Sequence, residues 1–280
     1  IVVQLDQLRH AHRHKGAMAD QRSVVNFRNT ADNNLSFWMQ DRQNQMAMLT
    51  LAGISYQYHT NGATRVGSQL PVLEFASDVT APTAHRNFRW DATSGLLRND
   101  ANTNLIAADT LTWEALIDLK TQAEYYKIKP VRTEDGLQYF QVFVNHLAMN
   151  ALKKDDDYKA ALQNAGKRGN DNPLFKGTDS IMVDGLVLSP YHHAYTTKGA
   201  ASGSKWGDGT IDGARLVLCG AQSLGIADIG RPTWVEKEFD FDNQPAISVG
   251  KIFGFRKPVF LDPTTDTEED FGVMTLDVAI

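Results

Sequence analysis

The five residues Ala221-Gln222-Ser223-Leu224-Gly225 have the outline of a nucleophile elbow, a serine with small residues two positions to either side, placed after an apolar run and before a segment that reads as a helix over 221–228. An elbow of this kind needs a histidine to accept the serine proton, and in the α/β-hydrolase order that histidine follows the serine in the chain. All eight histidines lie at or before His193. The pentapeptide therefore reads as strand-to-helix packing, with Ser223 as a helix-interior or capping hydroxyl. An α/β hydrolase acting through Ser223 stays only as the alternative from another functional class. Cys219, in Val217-Leu218-Cys219, reads as a small buried hydrophobe, since a reactive thiolate needs exposure and a nearby positive charge.

Metal ligation is the other chemistry to weigh. His10, His12 and His14 alternate, so a strand would place all three on one face, but no acidic or cysteine partner stands beside them and a solvated or interface arm is the preferred reading. His192 and His193 are adjacent, which on a strand sends them to opposite faces and makes a shared ion difficult. Asp240, Asp242 and Asn243 resemble half of a calcium loop, yet the glycine at loop position six and the closing glutamate are absent, so solvent-facing carboxylates at a strand end are expected. Gly207-Asp208-Gly209 lacks the Gly-Lys-Ser/Thr ending of a phosphate loop. No catalytic residue, cofactor or metal site is expected.

Periodicity supplies the elements around these residues. Residues 139–144 form a β-branched and aromatic run, and 146–163 follow with helical spacing that Asp155-Asp156-Asp157 breaks in two, the second piece stopping at Gly166. After a polar break at 172–177, Ile181-Met182-Val183 and Leu186-Val187-Leu188 flank Asp184-Gly185, the signature of a type I′ hairpin that Pro190 ends. Residues 1–16 carry no amphipathic stripe and read as an arm lying across a surface. From Asp20 to about Gly53, Val24, Phe27, Ala31, Leu35, Trp38, Met46 and Leu49 make a helical stripe, with the methionines of 39–48 as core filler. Residues 61–109 keep no sustained period beyond the strand-like pieces 70–75 and 87–90, so the stretch is expected to be either disordered or stabilised from outside the subunit, the two extended pieces favouring a long two-stranded loop. Asp109 or Thr110 is placed to cap a helix with Trp113, Leu116, Leu119, Ala123 and Tyr126 on one face, stopped at Lys129-Pro130. A Gly-, Ser- and Ala-rich loop over 198–212, whose one large side chain is Trp206, precedes a buried strand at 214–219. Further strands are read at 235–241 and 247–255. An acidic, turn-rich stretch at 262–270 leads to a last apolar piece, Val273-Met274-Thr275-Leu276.

At these residues the chain resembles the major capsid proteins of tailed bacteriophages, most nearly the subfamily first named for the coat protein of N-four-like podoviruses. The resemblance rests on the strand led by Tyr139, the Ala-rich helix after it, the Arg168-Gly169-x-x-Asn172-Pro173-Leu174-Phe175-x-Gly177 segment and the hairpin that ends in the His192-His193 pair. It continues through 111–114, 130–132, 214–222 and the run that opens at Asp240, covering most of 16–260. It implies an α+β Hong Kong 97-type capsid fold. The corresponding division is an N-terminal arm (1–19), a helical segment (20–60), an extended loop over the neighbouring subunit (61–109), a peripheral domain (110–147 and 233–280) whose long spine helix is the one opening near Asp109, and an axial domain (148–232). The implied function is structural, without catalysis: self-assembly as hexamers and pentamers into the icosahedral head shell that encloses the genome. Portal, scaffolding or cement proteins and weak, non-specific contact with packaged double-stranded DNA are the implied partners, and virion and, during assembly, host cytoplasm the implied locations. Arg9, Arg13 and Lys15 in the arm and Arg65, Arg89 and Trp90 in the loop are the candidate subunit contacts. A shell-forming bacterial nanocompartment protein of the same fold is the runner-up.

Composition bounds the remaining possibilities. A chain of 280 residues with 42% hydrophobic content can bury a sizeable core in one large or two small domains. Lys and Arg total 28 against 33 Asp and Glu, a formal charge of −5 with a pI near 5.9, which argues against a dedicated nucleic-acid binder. A single cysteine forms no internal disulfide. No apolar run approaches the roughly 18 residues of a membrane span. The opening Ile1-Val2-Val3-Gln4 has no initiator methionine and no signal-peptide pattern, so a trimmed or partial product is expected.

Overall fold

The computed structural model describes residues 2–16, 18, 26–134, 136–165 and 181–280. The chain opens with β1 (Asp6–Arg13) and α1 (Phe27–Ala52), then the short strands β2 (Asn87–Asp91) and β3 (Leu96–Arg98) and the helix α2 (Trp113–Tyr125). Next come β4 (Val131–Arg132), β5 (Gln138–Val144), α3 (His146–Lys154), α4 (Asp156–Ala165) and the hairpin of β6 (Ile181–Val183) and β7 (Leu186–Pro190). The last part holds β8 (Gly213–Cys219), β9 (Gly225–Asp228), β10 (Thr233–Phe239), β11 (Gln244–Arg256), β12 (Val259–Asp262), β13 (Thr267–Asp270) and β14 (Val273–Ala279).

Local chemistry fixes the ends of these elements. The Asn26 side chain accepts from the Asn29 N–H at the start of α1, and Gly53 closes the helix in the left-handed region at φ 66. A Cβ on Gly53 would lie 2.6 Å from Pro82 Cδ, so both conformation and space require glycine there. Asp155 ends α3 with an extended backbone, as the triple aspartate predicts, and its carboxylate accepts from the Trp113 N–H at 2.7 Å. Thr112, rather than Asp109 or Thr110, caps α2. Asp109 is buried and accepts instead from the backbone N–H groups of Ala92 and Ile106. Asp184 and Gly185 both have positive φ, 44 and 78, the type I′ turn that joins β6 to β7.

Eight strands form one sheet in the order β3-β2-β14-β8-β5-β7-β6, with β4 beside β5. Its two central strands, β8 and β14, are antiparallel and buried along their whole length. Their alternation serves two cores, one on each face. Ala214, Leu216, Leu218, Met274, Leu276 and Val278 face the core built with α2, α3 and α4, while Val217, Cys219 and Val273 face a second core built with α1. That second core is closed by a smaller sheet in which β11 pairs with β1 on one side and with β10 and β9 on the other. β12 and β13 form a separate two-stranded ribbon.

This arrangement corrects several expectations. The long helix is α1, with 26 residues or about 39 Å, and it packs on β11; α2 has 13 residues and belongs to the other core. The arm over 1–19 contains β1, paired with eight residues of β11. The cuts at 147/148 and 232/233 do not separate the cores, since β5 and β14 lie in the same sheet as β7 and β8. The stretch 61–109 is not an extended loop free of its own core. Leu70, Leu73 and Phe75 are buried in the core under α1, and Phe88 and Trp90 in the other. The piece 70–75 is made of short 3-10 turns, whereas β2 is a strand as read. Residues 221–228 hold a turn, with Gln222 at φ 57, and then β9, not a helix. The stretch 262–270 is half of a β-ribbon whose Asp262, Glu269 and Asp270 are buried. The expected break at 172–177 and helix stop at Gly166 lie outside the described residues.

Candidate subunit-contact surface

The register of β1 on β11 sorts its side chains, because directly paired residues share a sheet face. Leu8, His10 and His12 stand opposite Lys251, Val249 and Ile247, on the face covered by α1. The alternating histidines do share a face, but each is used in packing: His10 stacks on Trp38 with centroids 4.5 Å apart, and His12 and His14 lie 5.7 and 4.7 Å from Phe27. Burial, with His12 and Arg42 nearby, holds the His10 imidazole below its usual range, so it is neutral at physiological pH. Arg9, Arg13 and Lys15 carry fixed positive charge in this segment.

Arg9, Ala11 and Arg13 stand opposite Gly250, Ser248 and Ala246, on the outer face of the same sheet. On the far side of β11 that face continues through Val235, Lys237 and Phe239, paired with Ser248, Ala246 and Gln244. Arg9 donates to Ser248 Oγ at 3.3 Å, and Arg13 donates to Gln244 Oε1 and lies 4.7 Å over the Phe239 ring. No carboxylate among the described residues pairs with Arg9 or Arg13. Lys15 is exposed. A groove of about 460 Å³ runs over the face. Beyond it the β10–β11 turn presents Phe241 fully exposed between Asp240 and Asp242, all three at positive φ, with the aspartates solvent-facing as expected. Residues before β1 cross β11 at Gly254, where a Cβ would lie 2.0 Å from the Gln4 carbonyl oxygen. That crossing limits the open part of the face to the end near β10.

Arg65, Arg89 and Trp90 are not surface contacts. Arg65 is buried, donating to the Tyr58 carbonyl and to Gln45. Arg89 is clamped by Asp100 through two hydrogen bonds and lies 3.5 Å from buried Asp109. Trp90 is 2% exposed in the core. The elbow fails as chemistry too: Ser223 precedes a strand, and its hydroxyl meets Cys219, whose thiol burial pushes up to about 12. Cys219 is thus the inert hydrophobe its sequence suggests.

Sequence reading missed a set of interior ion pairs. Arg215–Asp277, Arg86–Asp262 and Lys257–Asp270 are all buried, at 2.6 to 2.8 Å. The signal for the first was available as one charge of each sign inside two strand sequences that are apolar apart from Thr275, Arg215 in β8 and Asp277 in β14. His192 and His193, which a strand would send to opposite faces, lie in a turn, with ring centroids 3.8 Å apart.

The model of the phage capsid protein family matches residues 2–280. The major capsid protein of Pseudomonas phage KPP25 is 51% identical over 99% of this chain and 74% of its own length. Among solved structures, the capsid of Ralstonia phage GP4 superposes with a TM-score of 0.76 at 21% identity, covering 99% of this chain and 74% of that one. The capsid asymmetric unit of cyanophage Pam1 gives 0.73 at 18% identity, covering 99% and 75%. The fold is Hong Kong 97-like, nothing supports a hydrolase, and the extent of likeness to a phage protein decides against the nanocompartment reading. The chain belongs to the phage capsid protein family and is a structural major capsid protein rather than an enzyme.

Proposed function

We propose that the chain closes its shell as hexamers and pentamers that meet partly through the outer face of the β1/β11/β10 sheet, with Arg9, Arg13 and Lys15 meeting acidic surface of another copy. The observation that carries this reading is a face opposite α1 that bears two arginines without a carboxylate partner among the described residues, beside exposed Phe239 and Phe241, on a subunit of net charge −5. Exposed ion pairs contribute only about 0 to 1 kcal/mol each and are screened over about 8 Å at physiological salt. Their effect on a particle comes from repetition over its copies. The same reading has the subunit assemble in the host cytoplasm with a portal and with scaffolding or cement proteins, and touch packaged DNA weakly. Replacing Arg9, Arg13 and Lys15 together with glutamine tests it. Subunit unfolding should not change, while the salt concentration at which empty shells dissociate should fall. If only DNA-filled particles weaken and empty shells keep their salt tolerance, the residues face nucleic acid and the proposal fails.

A further inference from the structure

Two imidazoles and a carboxylate converge where the turn after β7 meets the middle of α1. Asp41 Oδ1 lies 2.9 Å from His193 Nε2, and one donor atom from each of Asp41, His192 and His193 falls within 4.8 Å of the others. Ligands held about 2.1 Å from one divalent ion lie about 3.0 to 3.4 Å apart at right or tetrahedral angles and about 4.2 Å apart when opposite. The three donor atoms are therefore spaced on the scale of ligands that share one ion. Among the described residues no other group of three such donors comes this close.

The carboxylate is also held in place from behind. Gln45 Nε2 donates to Asp41 Oδ2 at 2.9 Å, and Gln45 Oε1 accepts from Arg42 at 2.6 Å and from Arg65 at 3.1 Å. Arg65 is fixed in turn by the Tyr58 carbonyl at 3.0 Å. This chain of support turns Oδ1 toward the imidazoles, as outer hydrogen bonds orient carboxylates in metal sites. The Arg42 guanidinium opposes a second cation, but it lies on the Oδ2 side, 3.8 Å away, with its closer contact to Gln45.

We propose that Asp41, His192 and His193 bind one divalent ion of the zinc class through a carboxylate oxygen and two imidazole nitrogens, water completing the shell. Two imidazoles suit zinc, nickel or copper far better than calcium or magnesium. The ion would clamp the long helix α1 to the turn that follows β7. To test this, purified shells of the full chain are stripped with EDTA and back-titrated with zinc chloride, following bound zinc per chain by mass spectrometry and affinity by calorimetry. The expected result is one zinc per chain, with affinity at least about ten-fold lower in His192→Ala and recovered in His192→Cys, which restores a ligand. The His192 side chain is exposed, so the alanine variant should melt like wild type without metal, and zinc should raise the melting temperature of wild type and His192→Cys only. The proposal is overturned if wild type binds no zinc, if His192→Ala binds it equally well, or if binding is lost instead in His12→Ala.

Discussion

Replacing Asp277 with alanine would strand the guanidinium of Arg215 in the middle of the molecule. The two residues stand directly opposite on β14 and β8, joined by Nε–Oδ1 and Nη2–Oδ2 hydrogen bonds of 2.7 and 2.6 Å. The third donor of Arg215, Nη1, reaches the Ala52 carbonyl at the end of α1 at 2.9 Å, where the helix has no further N–H to offer. Burial works against the charge on Arg215, and Asp277 more than restores it, so the pair is ionised and depends on both partners. Removing one partner of such a buried pair costs about 3 to 5 kcal/mol, because the remaining charge is desolvated without compensation. Replacing both with apolar residues, Arg215→Met with Asp277→Leu, removes that charge and leaves chiefly the Ala52 carbonyl unsatisfied, a cost of about 1 to 3 kcal/mol. Equilibrium unfolding of the unassembled subunit in guanidinium chloride measures both, read from midpoints provided the slopes agree. The double variant should be the more stable of the two. If it unfolds at or below the midpoint of Asp277→Ala, the loss does not come from a stranded charge and the reasoning is refuted.

Deleting residues 65–104 should unfold the subunit, since it removes Leu70, Leu73, Phe75, Phe88 and Trp90 from the two cores; a soluble, cooperatively folded deletion product would contradict that. Leu116→Ala, at a fully buried site on α2, should cost about 2 to 5 kcal/mol in the same unfolding assay, and Trp113→Ala clearly less, because Trp113 is only half-buried. Acid should destabilise the fold through Asp262 and Glu269. Burial pushes both carboxyls up, but hydrogen bonds outweigh it, from the Thr264 N–H and Arg86 to Asp262 and from Thr83, His85 and Thr267 to Glu269, so both end below the usual carboxylate range. A depressed folded value stabilises above the unfolded pKa near 4 and is lost as pH falls through the folded value. The guanidinium midpoint should therefore drop below about pH 4, and Asp262→Asn with Glu269→Gln should flatten that drop; an unchanged slope in the variant would show that other groups carry it.

What could be read from the chain beforehand depended on how many neighbours each residue needs in order to be understood. The hairpin at Asp184-Gly185, the helix break at Asp155 and the strands β5, β8 and β11 are decided by period or by a single turn and formed as read, whereas β10 spans Thr233–Phe239 and the expected strand end at 240–241 belongs to the turn after it. β9 was misread because four residues, Gly225 to Asp228, are too few for a period, and its strand state comes from pairing with residues 253–256. The stretch 61–109 went wrong for a related reason. It anchors itself by single side chains such as Phe75 and Trp90, separated by 3-10 turns and irregular backbone, so no repeat marks it as core. A loop reading of this stretch makes Arg65 and Arg89 surface cations, whereas their partners Gln45, Asp100 and Asp109 make them interior struts. The arm candidates Arg9 and Arg13 come from a segment whose alternation is visible in the sequence but whose partner strand, more than 230 positions away, is not. Pairing with β11 divides that segment: histidines toward α1, arginines outward. A non-obligate contact face differs little in composition from ordinary surface, so the charged half of β1 gains meaning only after the strand that orients it is known.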